Sequence, residues 1–117
     1  MPTNNISNPR VIEISHKVVQ AAKETLGDRL DKVILYGSYA RGDNDNESDI
    51  DFFILADVPH EEAGDRRGDI RKRIPGIDLE YDITVSLHVT GKDVFEKFIN
   101  TLPFYMNVAR EGIVINE

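Results

Sequence analysis

The sequence contains no cysteine, no long apolar run and fewer basic than acidic residues. Without cysteine, neither a disulfide framework nor a thiolate metal site can form, which is typical of a protein from the reducing cytoplasm. The three histidines, His16, His60 and His88, share no ligand spacing, so we expect no zinc site. No apolar run approaches the roughly 20 residues of a membrane span, and the first ten residues lack the apolar segment of a signal peptide. We therefore predict a cytoplasmic protein without membrane association.

The charge balance opposes binding to nucleic acid. The chain has 14 basic and 21 acidic residues, a net charge of −7, whereas nucleic-acid binding depends on basic side chains that replace counterions on phosphates. At 117 residues, with 40% apolar and 30% charged residues, the composition predicts one globular domain over residues 1–117. A chain of this length has one core and little room for an acceptor pocket, so a large acceptor would have to dock from outside.

Apolar periodicity and turn residues predict alternating helices and strands, which is an α/β (α+β) arrangement. We expect helices at 9–26, 60–74, 91–100 and from 103, a helical turn at 38–41, and strands at 32–36, 50–55, 79–89 and 113–115. Ser7 or Asn8 would cap the first helix, with Pro9 at its first position. The strand at 79–89 is predicted from alternation, with apolar residues on one side and Asp78, Glu80 and Asp82 on the other. The basic residues at 66–73 are interpreted as a solvated helix face, or as a contact to a partner or nucleotide.

Residues 35–55, LYGSYARGDNDNESDIDFFIL, crowd five carboxylates between two apolar runs. The first three, Asp43, Asp45 and Glu47, precede the second strand and are interpreted as a solvated turn. Asp49 and Asp51 are two apart in a strand, so they project to the same face while Ile50 and Phe52 turn toward the core. Two carboxylates held that close repel each other unless a cation lies between them, and Mg²⁺, a hard cation that takes oxygen ligands, is the expected one.

A third carboxylate and a Gly-Ser turn would complete a phosphate site. We expect Asp82, on the polar side of the neighbouring strand, to be the third carboxylate of a two-ion site, with Asp78 or Glu80 as alternatives. Gly37 after a strand allows a close backbone approach to a ligand, and amides that open a helical turn favour anions. Ser38 adds a hydroxyl group. These features predict a nucleoside triphosphate whose phosphates lie between the Gly-Ser turn and the metal ions.

The pattern Gly37-Ser38-x-Ala40-Arg41-Gly42, followed by Ser48-Asp49-x-Asp51-Phe52, resembles the signature of the DNA polymerase beta-like nucleotidyltransferase superfamily. Within it the chain is most similar to the minimal nucleotidyltransferase (MNT) family. The resemblance is strongest over residues 33–55, and the YDI segment at 81–83 and the EGI segment at 111–113 extend it to most of the chain. It implies a mixed central sheet flanked by helices, and transfer of a nucleoside monophosphate from a triphosphate with release of pyrophosphate.

The resemblance also implies roles for individual residues. Gly37 and Ser38 would hold the triphosphate of ATP or another nucleotide, Asp49 and Asp51 would bind two Mg²⁺ or Mn²⁺ ions, and Asp82 would be the third carboxylate. Asp82 would also help to activate the acceptor, as general base or through its metal. Arg41 matches the arginine of the family, with phosphate contact and bracing of the loop both open.

MNT proteins commonly pair with HEPN-domain proteins, often as antitoxins of HEPN ribonuclease toxins, and some transfer AMP to a tyrosine of that partner. The resemblance therefore implies a protein adenylyltransferase that forms a hetero-oligomer with a HEPN toxin. Two alternatives stay open at this point: an antitoxin that neutralises its partner by binding alone, and a nucleotidyltransferase with a small-molecule acceptor.

Overall fold

The first helix, α1 (Pro9–Leu26), begins at the cap that the sequence predicts. In the computed structural model, which describes residues 6–116, the Asn8 side chain accepts a hydrogen bond of 3.0 Å from the backbone N–H of Arg10. Gly27 ends the helix with a φ of 55°. The buried side chains recur at three- and four-residue spacing, so one stripe of the helix faces the sheet: Val11, Ile14, Val18, Ala22 and Leu26.

The remaining elements are further helices and turns and the four strands of a mixed sheet. They are a 3-10 turn (Gly27–Arg29), β1 (Leu30–Tyr36), α2 (Ser38–Arg41), β2 (Ile50–Ala56), a 3-10 turn (His60–Glu62), α3 (Ala63–Lys72), α4 (Ile77–Tyr81), β3 (Val85–Gly91), α5 (Lys92–Phe98), α6 (Pro103–Glu111) and β4 (Ile113–Val114). The strand order is β3-β2-β1-β4, with β2 and β3 parallel and the other pairs antiparallel. This confirms the predicted mixed sheet flanked by helices. Within the described residues, no helix combines the length and apolar character that a membrane crossing requires.

Each face of the sheet carries its own core. On one face, Ile50, Phe52 and Ile54 of β2 pack in the larger core with residues of α1, α3 and α4. On the other face, Phe53 and Leu55 join a smaller aromatic cluster that includes side chains of α5 and α6. The prediction that Ile50 and Phe52 face the core is confirmed. Asp51 lies on the same face of β2 as Phe53, so its side chain projects on the side of the sheet that carries this second cluster.

The predicted strand at 79–89 is wrong in its first part. Ile77–Tyr81 forms the helix α4, Asp82 follows with φ 53° and ψ 43°, and β3 begins only at Val85. Helical spacing buries Ile77 and leaves Leu79 89% exposed, where a strand would have placed Leu79 beside the core residues of the alternating pattern. The apolar alternation at 79–84, before the first residue of β3, is therefore a coincidence.

Several basic residues at 66–73 form hydrogen bonds and ion pairs within the protein, whereas a solvated helix face would leave their side chains in water. Arg67 donates a hydrogen bond of 2.7 Å to the carbonyl of Leu87 on β3. Arg71 donates to both oxygens of Asp78 at 3.1 and 3.0 Å. The other pairs are Arg66 with Glu62 and Arg73 with Glu24. Much of the cluster thus links α3 to neighbouring elements.

Candidate active site

The Gly37-Ser38 turn joins the end of β1 to the short helix α2. Gly37 has φ 78° and ψ −157°, a conformation that is essentially restricted to glycine. Its carbonyl accepts hydrogen bonds of 3.1 Å from the amides of Ala40 and Arg41, which closes the turn. The amides of Ser38 and Tyr39 lie in the first turn, where helical amides have no partner within the helix. The turn can therefore offer amides and the Ser38 hydroxyl to an anion.

Asp51 lies directly against this glycine. It pairs with Tyr36 across β1 and β2, so its side chain projects beside the residue that follows Tyr36. A Cβ atom on Gly37 would lie 2.6 Å from Oδ2 of Asp51, a distance that real Cβ contacts essentially never show. The space that a side chain would fill at position 37 is thus occupied in part by the carboxylate. Asp51 and the Gly-Ser turn therefore lie side by side.

Asp49 lies just before β2 and is exposed, whereas Asp51 is partly buried. Burial raises the pKa of Asp51 above its ordinary value, and the negative charge of Asp49 raises it further. The positive charges of His88 and Arg41 act in the opposite direction on the same pKa. The two carboxylates therefore lie close enough to repel each other, as the sequence predicts. Paired carboxylate oxygens beside an open turn suit the ligand preferences of Mg²⁺ and Mn²⁺.

The structure does not bring Asp82 into this pair. Asp82 ends α4, is exposed, and lines an open groove of about 340 Å³ with Asn46, Glu47 and Ser48. Within residues 6–116, no three acidic or histidine side chains lie close enough together to hold a metal ion. The role of Asp82 as third carboxylate stays a prediction from the resemblance to the nucleotidyltransferase superfamily.

The two alternatives for the third carboxylate have structural partners. Asp78 binds Arg71 and also accepts a hydrogen bond of 3.3 Å from the amide of Val85, so it joins α3 and α4 to the start of β3. Glu80 forms an ion pair of 2.9 Å with Lys17 on α1. Both carboxylates therefore stabilise the packing of α4.

Two side chains near Asp51 were not among the predicted site residues. On β3, Ser86 pairs with Asp51 and His88 pairs with Phe53, so both lie on the face of the sheet that carries Asp51. The Tyr36 hydroxyl lies 3.3 Å from Nδ1 of His88. Burial, followed by the charge of Asp51, raises the pKa of Tyr36 to about 12. Strand periodicity could have indicated His88, but only the register of β3 against β2 places it near Asp51.

Arg41 braces the loop that follows the turn. Its guanidinium donates to Asp43 at 3.1 Å and to Glu111 at the end of α6 at 3.4 Å. The hydrogen bond to Asp43 is the main cause of a raised pKa for Arg41. Farther along, Asp45 Oδ1 accepts from the amide of Glu47 at 2.9 Å and from the Ser48 hydroxyl at 3.2 Å. The exposed acidic turn is thus ordered by its own side chains.

Comparison with known proteins agrees with this geometry. The family model described as "Nucleotidyltransferase domain" matches residues 16–115, which include the turn and the acidic pair. The chain belongs to the nucleotidyltransferase family. It is 37% identical over 97 residues to "Putative protein adenylyltransferase MJ0604" of Methanocaldococcus jannaschii, covering 83% of this chain and 89% of that protein. A second relative from the same organism, "Putative protein adenylyltransferase MJ0141", is 38% identical over 81% of this chain and 94% of its own length.

Solved structures share the fold of this nucleotidyltransferase at low sequence identity. A toxin-antitoxin crystal structure with AMP-PNP has a TM-score of 0.52 and 17% identity, covering 86% of this chain and 70% of that chain. A mutant of the toxin-antitoxin pair MntA-HpeT has a TM-score of 0.50 and 16% identity, covering 84% and 68%. These matches confirm the nucleotidyltransferase fold, and the family model and the curated relatives show that the protein is a nucleotidyltransferase.

Proposed function

We propose that this nucleotidyltransferase transfers AMP from ATP to a protein acceptor, a tyrosine of a HEPN-domain toxin, and so acts as the antitoxin of the pair. The observation that carries the proposal is the contact geometry of Gly37 and Asp51, where the carboxylate lies in the space that a Cβ would need. The proposal is supported because carboxylate oxygens suit divalent metal ions and the amides of a glycine turn suit phosphates, and here the two kinds of group are neighbours.

In this proposal, different residues of the chain bind the nucleotide and the metal ions. Gly37 and Ser38 would bind and orient the triphosphate, while Asp49 and Asp51 would hold the divalent ions. When bound, two Mg²⁺ ions supply charge neutralisation for the phosphates and for the leaving pyrophosphate. The acceptor hydroxyl oxygen forms a bond to the α-phosphorus as the bond from that phosphorus to pyrophosphate breaks. Arg41, held by Asp43 and Glu111, would keep the loop in place around the nucleotide.

A protein acceptor is supported by two findings. The curated relatives are named "Putative protein adenylyltransferase", and each aligns with more than four fifths of this chain. Two fold neighbours are chains of toxin-antitoxin structures, one of them with AMP-PNP.

The experiment is labelling of a co-purified or candidate HEPN partner with radioactive ATP and Mg²⁺. Asp49→Asn and Asp51→Asn should each reduce labelling by at least about 10²-fold, since each removes a charged metal ligand at nearly constant shape. Asp57→Asn is the matched control, because Asp57 is exposed and follows the opposite end of β2. Mass spectrometry of the labelled partner should locate AMP on a tyrosine.

The outcomes separate the alternatives. Persistent labelling in both variants would refute the metal assignment. Neutralisation of the toxin that survives Asp49→Asn and Asp51→Asn would favour an antitoxin that acts by binding alone. Transfer of the label to a small hydroxyl compound, with none to protein, would instead establish a small-molecule acceptor.

A further inference from the structure

The residue that pairs with Asp51 on the neighbouring strand β3 is a serine. The strands β2 and β3 are parallel, and their register sets Ser86 beside Asp51. Residues paired in this way project to the same face of the sheet, and neighbouring strands lie about 4.8 Å apart. Both residues are half-buried. Position 86 therefore places a polar side chain next to the carboxylate that the nucleotidyltransferase motif supplies.

The Ser86 hydroxyl has no role in holding the described part of the fold together. Within residues 6–116, no side chain or backbone group forms a hydrogen bond with its oxygen. The Ser48 hydroxyl, by contrast, donates to Asp45 at 3.2 Å and helps to order the acidic turn. A serine hydroxyl is a ligand of Mg²⁺ in other phosphoryl-transfer sites, where it acts together with an aspartate. The Ser86 oxygen is thus available as a ligand beside Asp51.

The other candidates for a third metal ligand lie elsewhere or have partners. Asp82 lies before β3 begins, and Asp78 binds Arg71 through both carboxylate oxygens. His88 lies two residues farther along β3, where its ring stacks on Phe53 with an interplanar angle of 13°. Among the described residues, no three acidic or histidine side chains lie close enough together to hold a metal ion. The acidic pair therefore has no third charged ligand in this structure.

We propose that Ser86 is the third position of the metal site, where its neutral hydroxyl takes the place of a third carboxylate; the inference rests on the function proposed above. Mg²⁺ commonly takes one or two carboxylates from a protein and further oxygens from substrate phosphates. With two charged ligands instead of three, the protein alone binds a divalent ion weakly, because affinity rises with the number of charged ligands. The triphosphate supplies the missing negative charge. Metal ion and nucleotide therefore bind to this site together.

The first test converts the serine into a carboxylate. Nucleotide-free Ser86→Asp should bind Mn²⁺ at least about tenfold more tightly than the wild type in calorimetry, because it adds a third charged ligand beside Asp51. His16→Asp is the matched control. His16 is exposed on α1, whose buried stripe packs on the opposite face of the sheet, so this variant adds the same charge away from the site. Its affinity for Mn²⁺ should equal that of the wild type.

The second test removes the hydroxyl. With a saturating non-hydrolysable ATP analogue, Ser86→Ala should bind Mn²⁺ about tenfold more weakly than the wild type, and Ser86→Thr, which keeps a hydroxyl, should bind it nearly as tightly. Thermal melts without metal should show the same stability for Ser86→Ala and the wild type, since the hydroxyl has no partner among the described residues. Mn²⁺ should raise the melting temperature of Ser86→Asp more than that of the wild type.

Asp51→Asn separates this inference from the function on which it rests. If Asp51→Asn loses Mn²⁺ binding while Ser86→Asp and Ser86→Ala both bind the ion as the wild type does, the role of Ser86 is overturned and the acidic pair stands. If Asp51→Asn itself binds Mn²⁺ with the ATP analogue as tightly as the wild type, the metal assignment of the proposed function fails, and the role of Ser86 fails with it.

Discussion

Replacement of Gly37 by alanine would test the link between the phosphate turn and the acidic pair. The substitution adds one methyl group in a turn whose φ is 78° and ψ is −157°. That methyl would lie 2.6 Å from the Asp51 carboxylate, whereas ordinary contacts begin at 3.4 Å. Either the carboxylate moves by most of an ångström or the turn changes shape. Both responses alter the geometry at which phosphates and metal ions meet.

The expected magnitude has a conformational part and a functional part. A non-glycine residue in this region of backbone space costs on the order of 1–3 kcal/mol in the free energy of unfolding. A misplacement of about 1 Å at a reacting centre reduces the rate by roughly 10²-fold. We therefore expect Gly37→Ala to lower stability modestly and to lower the labelling rate severely.

Gly42→Ala is the matched control. Gly42 also has a positive φ, of 84°, but a Cβ atom there meets nothing within 4 Å. Its cost should be the backbone strain alone, about 1–2 kcal/mol. Urea denaturation gives the stability of both variants. Calorimetry with Mg²⁺ and a non-hydrolysable ATP analogue gives nucleotide binding, which should be weakened by Gly37→Ala only.

The Asp51→Ala background isolates the steric contact. Without the carboxylate, Gly37→Ala should cost less in the free energy of unfolding than it does in the wild type, because only backbone strain remains. Equal costs in the two backgrounds, together with wild-type nucleotide binding by Gly37→Ala, would show that the close approach of Gly37 and Asp51 has no role.

Three other predictions concern Asp51, Asp78 and Asp82. Burial and then Asp49 raise the pKa of Asp51, so the stability that its protonated form provides is present at low pH and lost as the pH rises through the raised pKa. Metal-free Asp51→Asn should thus be more stable than the wild type near pH 7, and acid denaturation curves should show the difference in stability closing at low pH. Asp78→Ala should cost about 1–3 kcal/mol, since it leaves Arg71 and the Val85 amide without their acceptor, and labelling per folded molecule should persist. Because Asp82 lies outside the acidic pair, Asp82→Asn should leave the labelling rate near the wild-type value, whereas a loss comparable to that of Asp51→Asn would establish Asp82 as the third carboxylate.

Local chemistry made several elements predictable from the sequence. Asn8 and Pro9 begin α1, and Gly27 ends it, because cap and breaker residues act within one turn of the chain. The helical turn at Ser38–Arg41 was predicted at its observed bounds for the same reason. Alternation failed at α4, where the helix buries Ile77 and exposes Leu79 although the same residues also fit a strand pattern.

The resemblance to the nucleotidyltransferase family implies the mixed sheet, whereas the Gly-Ser turn and the strand that carries Asp51 are predicted from the residues alone. These features depend on residue types at fixed short spacing, which the backbone converts directly into turns and strand faces. The neighbours of Asp51 could not be predicted from the sequence, because the register of β3 and the packing of α6 join residues dozens of positions apart. That long-range pairing brings Tyr36 and His88 to the face of the sheet that carries Asp51 and leaves Asp82 before the strand.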